Sequence, residues 1–321
     1  MNTFTWYKKR GLLCITAIAA VILLSGTYSH SLAGSIPQKS FTLPEKAVNA
    51  LVVAVRANDK KEILAILGPG GNELISSGDE VADKEGCEKF LKAYDEMNKL
   101  EKESADKMVL HIGTDDWPLP IPIVEKDNKW VFDTKAGKEE ILNRRIGRNE
   151  LNVIEVLHAY VDAQREYASK DCKGGGVVEF AQKFISTEGK HDGLYWKAKE
   201  GEEMSPLGPL VAQAAKEGYA EKAEGINFSP FHGYYYKILK GQGKHATGGA
   251  YDYVAKGKMI LGYALVAYPA QYGNSGVMTL IINQEGVIYQ KNLGKNTENT
   301  AKTMKKFDPD KTWKKVEETP K

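Results

Sequence analysis

The chain has 321 residues, 42% of them hydrophobic, with 44 Lys and Arg against 42 Asp and Glu, a formal net charge of +2. A balance this even offers no basic surface for counterion release from nucleic acid and no block of like charge to act as a membrane-binding tail, so neither partner is expected. The length is ample for large cores and suggests about two domains of roughly 100 to 200 residues each.

Lys8, Lys9 and Arg10 precede an uncharged apolar run over residues 11–26, and Ser31-Leu32-Ala33 then places small residues at the two positions a signal peptidase reads. The run is about 16 residues, short of the roughly 20 that a helix needs to cross the hydrocarbon core. Residues 1–33 are therefore expected to be a signal peptide cleaved after Ala33, with a periplasmic or secreted destination and no stable membrane span after cleavage. Lys8, Lys9 and Arg10 are the only charged residues there, so their removal leaves 41 basic against 42 acidic residues, a net charge of −1. Cys14 lies inside the apolar run behind the bulky Leu13, which argues against lipidation. Lys9-Arg10-Gly11-Leu12 has the outline of a prepilin leader, but Thr16 stands where such leaders carry glutamate. The two cysteines left, Cys87 and Cys172, could form one disulfide in an oxidising compartment.

A first domain is expected over residues 41–136. Thr42 and Glu45 have capping-box spacing and Pro44 suits a first turn, so a helix should follow with Val48, Leu51, Val52 and Val55 on its buried face. Residues 63–67 resume the pattern, Gly68-Pro69-Gly70-Gly71 stops it, and Phe90, Leu91, Tyr94 and Met97 mark a further helix. Residues 108–112 and 121–124 then read as strands, and Asp127-Asn128 as the turn of a hairpin into Lys129-Trp130-Val131-Phe132. Prolines 118, 120 and 122 cannot donate to a ladder, which places that segment at an edge or in an extended stretch.

A second domain is expected over residues 137–315. Its first part, to residue 169, reads as mostly helical, with Ile154, Leu157, Tyr160, Val161, Gln164 and Ala168 on one face. Ser205-Pro206-Leu207-Gly208 should start a short helix over 210–215. Residues 234–239, 259–268, 277–282 and 287–290 are β-rich, and Asn283-Gln284-Glu285-Gly286 closes a hairpin between the last two. The class is α+β: helices with a curled antiparallel sheet, then a long helix packed on an antiparallel sheet.

Three resemblances go with this order. Helices followed by a sheet, with Asp127-Asn128-Lys129-Trp130-Val131-Phe132-Asp133, resemble the cone of nuclear-transport-factor-like domains. The helix ending Ala163-Gln164-Arg165-Glu166-Tyr167-Ala168, followed by Gly233-Tyr234-Tyr235-Tyr236 and Ser275-Gly276-Val277-Met278, resembles the head of type IV pilins and pseudopilins. From about Phe41 to Trp313 the chain is similar to a family of bacterial secreted proteins described only as a domain of unknown function. That similarity is carried by Leu67-Gly68-Pro69-Gly70, Ser76-Ser77-Gly78-Asp79, Asp115-Asp116-Trp117-Pro118-Leu119-Pro120-Ile121-Pro122, Arg144-Arg145-Ile146-Gly147-Arg148-Asn149-Glu150, Gly193-Leu194-Tyr195-Trp196 and Tyr272-Gly273-Asn274-Ser275-Gly276-Val277-Met278. It implies no activity or cofactor.

Chemistry must be sought residue by residue. Gly273-Asn274-Ser275-Gly276 lacks nucleophile-elbow spacing and suits a β-turn. His111, His158, His191, His232 and His245 are scattered, with no pair at metal-ligand spacing, and Asp171-Cys172-Lys173 puts the wrong side chains where a calcium turn needs oxygen. No metal and no cofactor is therefore expected. Asp115 and Asp116 point apart if on a strand, and before Trp117-Pro118 they suit a turn. Arg144, Arg145 and Arg148 are the densest basic cluster after the leader; they could grip an anionic group or pair with Glu139, Glu140 and Glu150 in solvent. Tyr195, Trp196 and Tyr234 could line a sugar- or peptide-binding face or pack in the core. No base, nucleophile and orienter stand at usable spacing, so the expectation is a non-catalytic envelope protein that binds or scaffolds a protein or glycan partner. The alternatives are a hydrolase of cell-wall or extracellular polymer using Asp116, His232 or Ser275, and a pilin-like accessory subunit cleaved before Leu12.

Overall fold

Pro44 fixes φ at the first turn of α1 (Pro44–Arg56) and buries Ala47, Val48, Leu51, Val52 and Ala54 on one side. The computed structural model in which this is seen describes residues 37–170, 178–199, 201–219 and 230–317. These lie in one compact unit, Ile36–Lys321. The leader and Cys172 lie outside the described residues. The capping box expected at Thr42 is not formed: Leu43 is the N-cap, and the Thr42 hydroxyl accepts from the Lys46 ammonium at 3.1 Å. Proline at the start has no N–H to cap, which lessens the need for one.

Asp59 caps α2 (Lys60–Leu67), accepting from the Glu62 amide, and the glycine run after it gives way to a short helix, α3 (Gly71–Ile75). Asp79 then caps α4 (Glu80–Glu96). The first sheet follows: β1 (Asn98–Ser104), β2 (Lys107–Ile112), β3 (Trp117–Pro118), β4 (Ile123–Lys126) and β5 (Lys129–Phe132). Its order is β1-β2-β4-β5, with β3 paired to β2 alone. All pairs are antiparallel. Asp127 and Asn128 both have positive φ, as a two-residue hairpin of the twist-matching kind requires. Ile66, Leu110, Ile112, Ile123 and Phe132 join the face of α1 in one buried cluster.

One helix of 36 residues, α5 (Thr134–Ser169), leads into the second half. At 1.5 Å per residue it is about 54 Å long. Val153, Val156, Leu157, Tyr160, Val161 and Tyr167 are buried along it, and it packs on two strands of the second sheet. After α6 (Gly208–Lys216) come β6 (Tyr234–Leu239), the short pairs β7 (Gly241–Gln242) with β8 (Tyr251–Asp252) and β9 (Val254–Ala255) with β10 (Lys258–Met259), then β11 (Ala264–Pro269), β12 (Met278–Asn283), β13 (Tyr289–Asn292), α7 (Thr297–Thr303) and β14 (Lys314–Lys315). The five-stranded antiparallel sheet has the order β14-β13-β12-β11-β6. Every residue of β11 is buried, because α5 and α7 both pack on it. The class is α+β. Among the described residues no helix is long and apolar enough to cross a membrane.

Candidate functional site

Three segments far apart in sequence meet beside the middle of α5. Arg145 donates to the carbonyls of Glu73 (2.8 Å) and Leu74, at the end of α3, and to Asn274 Oδ1 at 2.5 Å. The Asn274 amide nitrogen in turn reaches the Ser76 carbonyl and Gln271 Oε1, both at 2.8 Å. One helical turn further on, Asn149 donates to the Ser275 carbonyl at 2.9 Å, and Glu150 accepts from the amides of Val277 and Met278 at 3.0 and 2.9 Å. Gly276 fits only because it has no side chain: a Cβ there would lie 2.1 Å from the Tyr234 hydroxyl.

Asp79 closes the other side of this junction. Its carboxylate is buried; one oxygen caps α4 through the Ala82 amide, and the other accepts from the Gly233 amide at 2.9 Å and the Tyr219 hydroxyl at 2.8 Å. A buried carboxylate is tolerable when it is fully hydrogen-bonded, and three donors supply that here. The Tyr219 hydroxyl also accepts from the His232 amide at 3.2 Å. His232 sits in the left-handed backbone region, with its ring between the Asn152 amide (3.3 Å at Nδ1) and the Glu217 carboxylate (3.5 Å at Nε2). Burial holds its pKa below the usual histidine value, against the pull of Glu217 and Asp79 in the opposite direction.

The outward face of α5 is different in kind. Trp117, on the edge strand β3, is 37% exposed, and the Arg144 guanidinium lies 5.3 Å from its ring centroid. Arg144 is held there by Glu140 one turn back, at 2.6 Å. Gly147, Arg148 and Leu151 continue the same face at three- and four-residue steps. Leu151 is 66% exposed, out of phase with the buried Val153, Val156, Leu157 and Tyr160. Arg148 makes no hydrogen bond or ion pair with any described residue. An aromatic ring, arginines and an exposed aliphatic side chain thus stand on one face of a helix clamped from behind, and these are side chains of the kind that protein interfaces use. A shallow cavity of about 510 Å³ lies elsewhere, lined by residues 269–273, Lys295 and Glu298.

A family described as protein of unknown function, DUF2950, matches residues 38–316. The chain belongs to this family. No curated protein and no solved structure matches it. The matched span contains all the junction segments and the Trp117 face, so both are inside what defines a DUF2950 chain.

Within that span, the candidate residues read from the sequence part company. Ser275 is 0% exposed, and its hydroxyl accepts from the Gln271 amide (2.9 Å) and donates to the Gln271 carbonyl (3.2 Å), closing its own turn. Asp116 stands in the turn before β3 with positive φ, beside His111 at 3.2 Å. His232 has the partners given above, so no hydrogen bond joins any two of these three. Of the arginines, Arg145 is an internal clamp, whereas Arg144 and Arg148 face outward. Tyr234 does not present a binding surface: it is fully buried and its hydroxyl donates to the Met278 carbonyl at 3.0 Å. Trp196 is largely buried, stacked on His191 with ring centroids 4.1 Å apart, and Tyr195 is half-buried. Cys87 is half-buried on α4, where burial pushes its thiol pKa up; its expected partner is not among the described residues. Among the described residues no group of three or more His, Cys, Asp or Glu could hold a metal ion. Sequence reasoning missed Trp117, Gly147 and Leu151 as a set. The legible signal was Leu151, an apolar residue at an Arg144-phase position.

Proposed function

We propose that this DUF2950 chain is an exported, non-catalytic envelope protein that binds or scaffolds a protein partner through the face built by Trp117, Arg144, Arg148 and Leu151. The observation that supports this most is the Trp117 ring held against Arg144 beside an exposed leucine, on a helix whose position Arg145, Asn149 and Glu150 fix from behind. Pre-organisation of this kind lowers the ordering cost of association. Export rests on the leader, Lys8, Lys9 and Arg10 before the apolar run and Ser31-Leu32-Ala33 after it. The rival reading, a polymer hydrolase, needs at least two of Asp116, His232 and Ser275 to come within hydrogen-bond reach in one cleft, and each is bound to other groups.

Chemical crosslinking in intact envelopes tests the reading. The native protein should give a discrete adduct that Trp117→Ala and Leu151→Asp abolish while the melting temperature stays within a few degrees. An adduct indifferent to both substitutions would overturn it.

A further inference from the structure

We infer that the partner on this face is a second copy of the same chain, docked antiparallel along α5; the inference rests on the reading that this face is a docking surface. A twofold interface uses one patch on both copies, so the patch must complement itself. The exposed stripe of α5 does so. From its N-terminal end it carries Arg144 and Arg148, then Leu151, then Glu155 and Asp162, all exposed. Turned end for end about Leu151, each copy sets Arg148 within one residue of the partner's Glu155 and Arg144 within about a turn of the partner's Glu155 and Asp162, with the two leucines adjacent at the axis; Glu140, which comes opposite the partner's Asp162, is already paired with Arg144. Neither Arg148 nor Glu155 forms an ion pair with a described residue, although the Glu155 charge is felt by His232 within its own chain.

Gly147 is the second observation. In the interior of a helix glycine is less favourable than alanine, and nothing among the described residues requires it here: a Cβ at this position would meet none of them within 4 Å. Next to Arg148 and Leu151, a missing side chain lets another helix approach closely, which is what a helix crossing needs. Trp117 flanks the arginine end of the stripe, so a twofold contact would have one indole at each end.

Sedimentation velocity of the purified protein over a range of concentrations tests this. The native chain should show a monomer–dimer equilibrium. Arg148→Glu and Glu155→Arg should each weaken it at least about tenfold, because each places like charges opposite one another twice. The double variant, with the pair exchanged, should recover it. A native protein that stays monomeric, or a double variant as dissociated as the single ones, would overturn the inference. A monomer in solution whose envelope adduct, still dependent on Trp117, differs in mass from two copies would overturn the second-copy partner and leave the docking face standing.

Discussion

Arg145 and Asn274 clasp one another across the junction, with the guanidinium donating to Asn274 Oδ1 at 2.5 Å while the amide nitrogen of the same asparagine reaches the Ser76 carbonyl. Arg144, the preceding residue on α5, lies instead against Trp117. Neighbouring arginines thus have opposite duties, one holding the platform and one presenting it.

Arg145→Ala should therefore cost far more than Arg144→Ala. Removing Arg145 takes its donor from the exposed Glu73 carbonyl and from the part-buried Leu74 carbonyl and Asn274 amide oxygen, and each of the latter two, left unsatisfied, costs about 1–3 kcal/mol. A loss of about 3 kcal/mol in urea denaturation is expected for Arg145→Ala and under about 1 kcal/mol for Arg144→Ala, whose ion pair is exposed. Equal losses would contradict the division of roles.

Ser275→Ala removes both hydroxyl hydrogen bonds to Gln271 and leaves the backbone bond from the Ser275 amide to the Gln271 carbonyl in place. Stability should fall by about 1–2 kcal/mol. Crosslinking of the folded variant through the Trp117 face, measured well below its melting temperature, should be unchanged; loss of a hydrolysis that the native chain performs, with the fold intact, would point instead to a nucleophile.

His232 gives the protein an acid-sensitive term. Its folded-state pKa is depressed by burial, so between that value and the unfolded value of about 6.5 the unfolded chain binds more protons than the folded one. The contribution is fully present above pH 6.5 and declines as the pH falls through that window. His232→Asn keeps a residue that tolerates the left-handed backbone and should flatten the stability profile between pH 5 and 7 relative to the native chain. A profile of unchanged slope would show that the titration lies elsewhere.

Gly147→Ala separates folding from docking. An added methyl meets none of the described residues and relieves the helix of a glycine, so thermal unfolding should report a gain of about 0.5–1 kcal/mol. Crosslinking or self-association should weaken at the same time. A stabilised variant that docks as well as the native protein would remove Gly147 from the interface.

Much of the fold was legible because periodicity reports burial. The α5 face of Leu157, Tyr160 and Val161, the Asp127-Asn128 hairpin and the strand runs ending at Gln290 all carry the right apolar pattern or turn residues. Strand β1 does not: Lys99, Glu101, Lys102 and Glu103 are exposed on an edge, and only its pairing to β2 makes it a strand. Helix α7 was equally hidden, since Thr297, Thr300 and Thr303 favour other structure and its place is set by Ala301 buried in the packing on β11. The site was the least legible part. The arginine cluster stood out by composition, but Arg145 and Asn274 are 129 positions apart, and their pairing exists only once both halves are folded. Trp117 falls in the proline-rich segment expected at an edge or in an extended stretch, as β3 is, but nothing in the local sequence sets its ring against Arg144 of α5.

Site-specific photo-crosslinking is the most direct test of the docking face. A photoreactive phenylalanine analogue replaces Leu151 in one form of the protein and Lys84, an exposed position on α4, in another, both expressed in the native cells. Illumination should give a discrete adduct from position 151 that Trp117→Ala removes, and none from position 84. No adduct from position 151, or equal adducts from both, would contradict the assignment of this face as the binding surface.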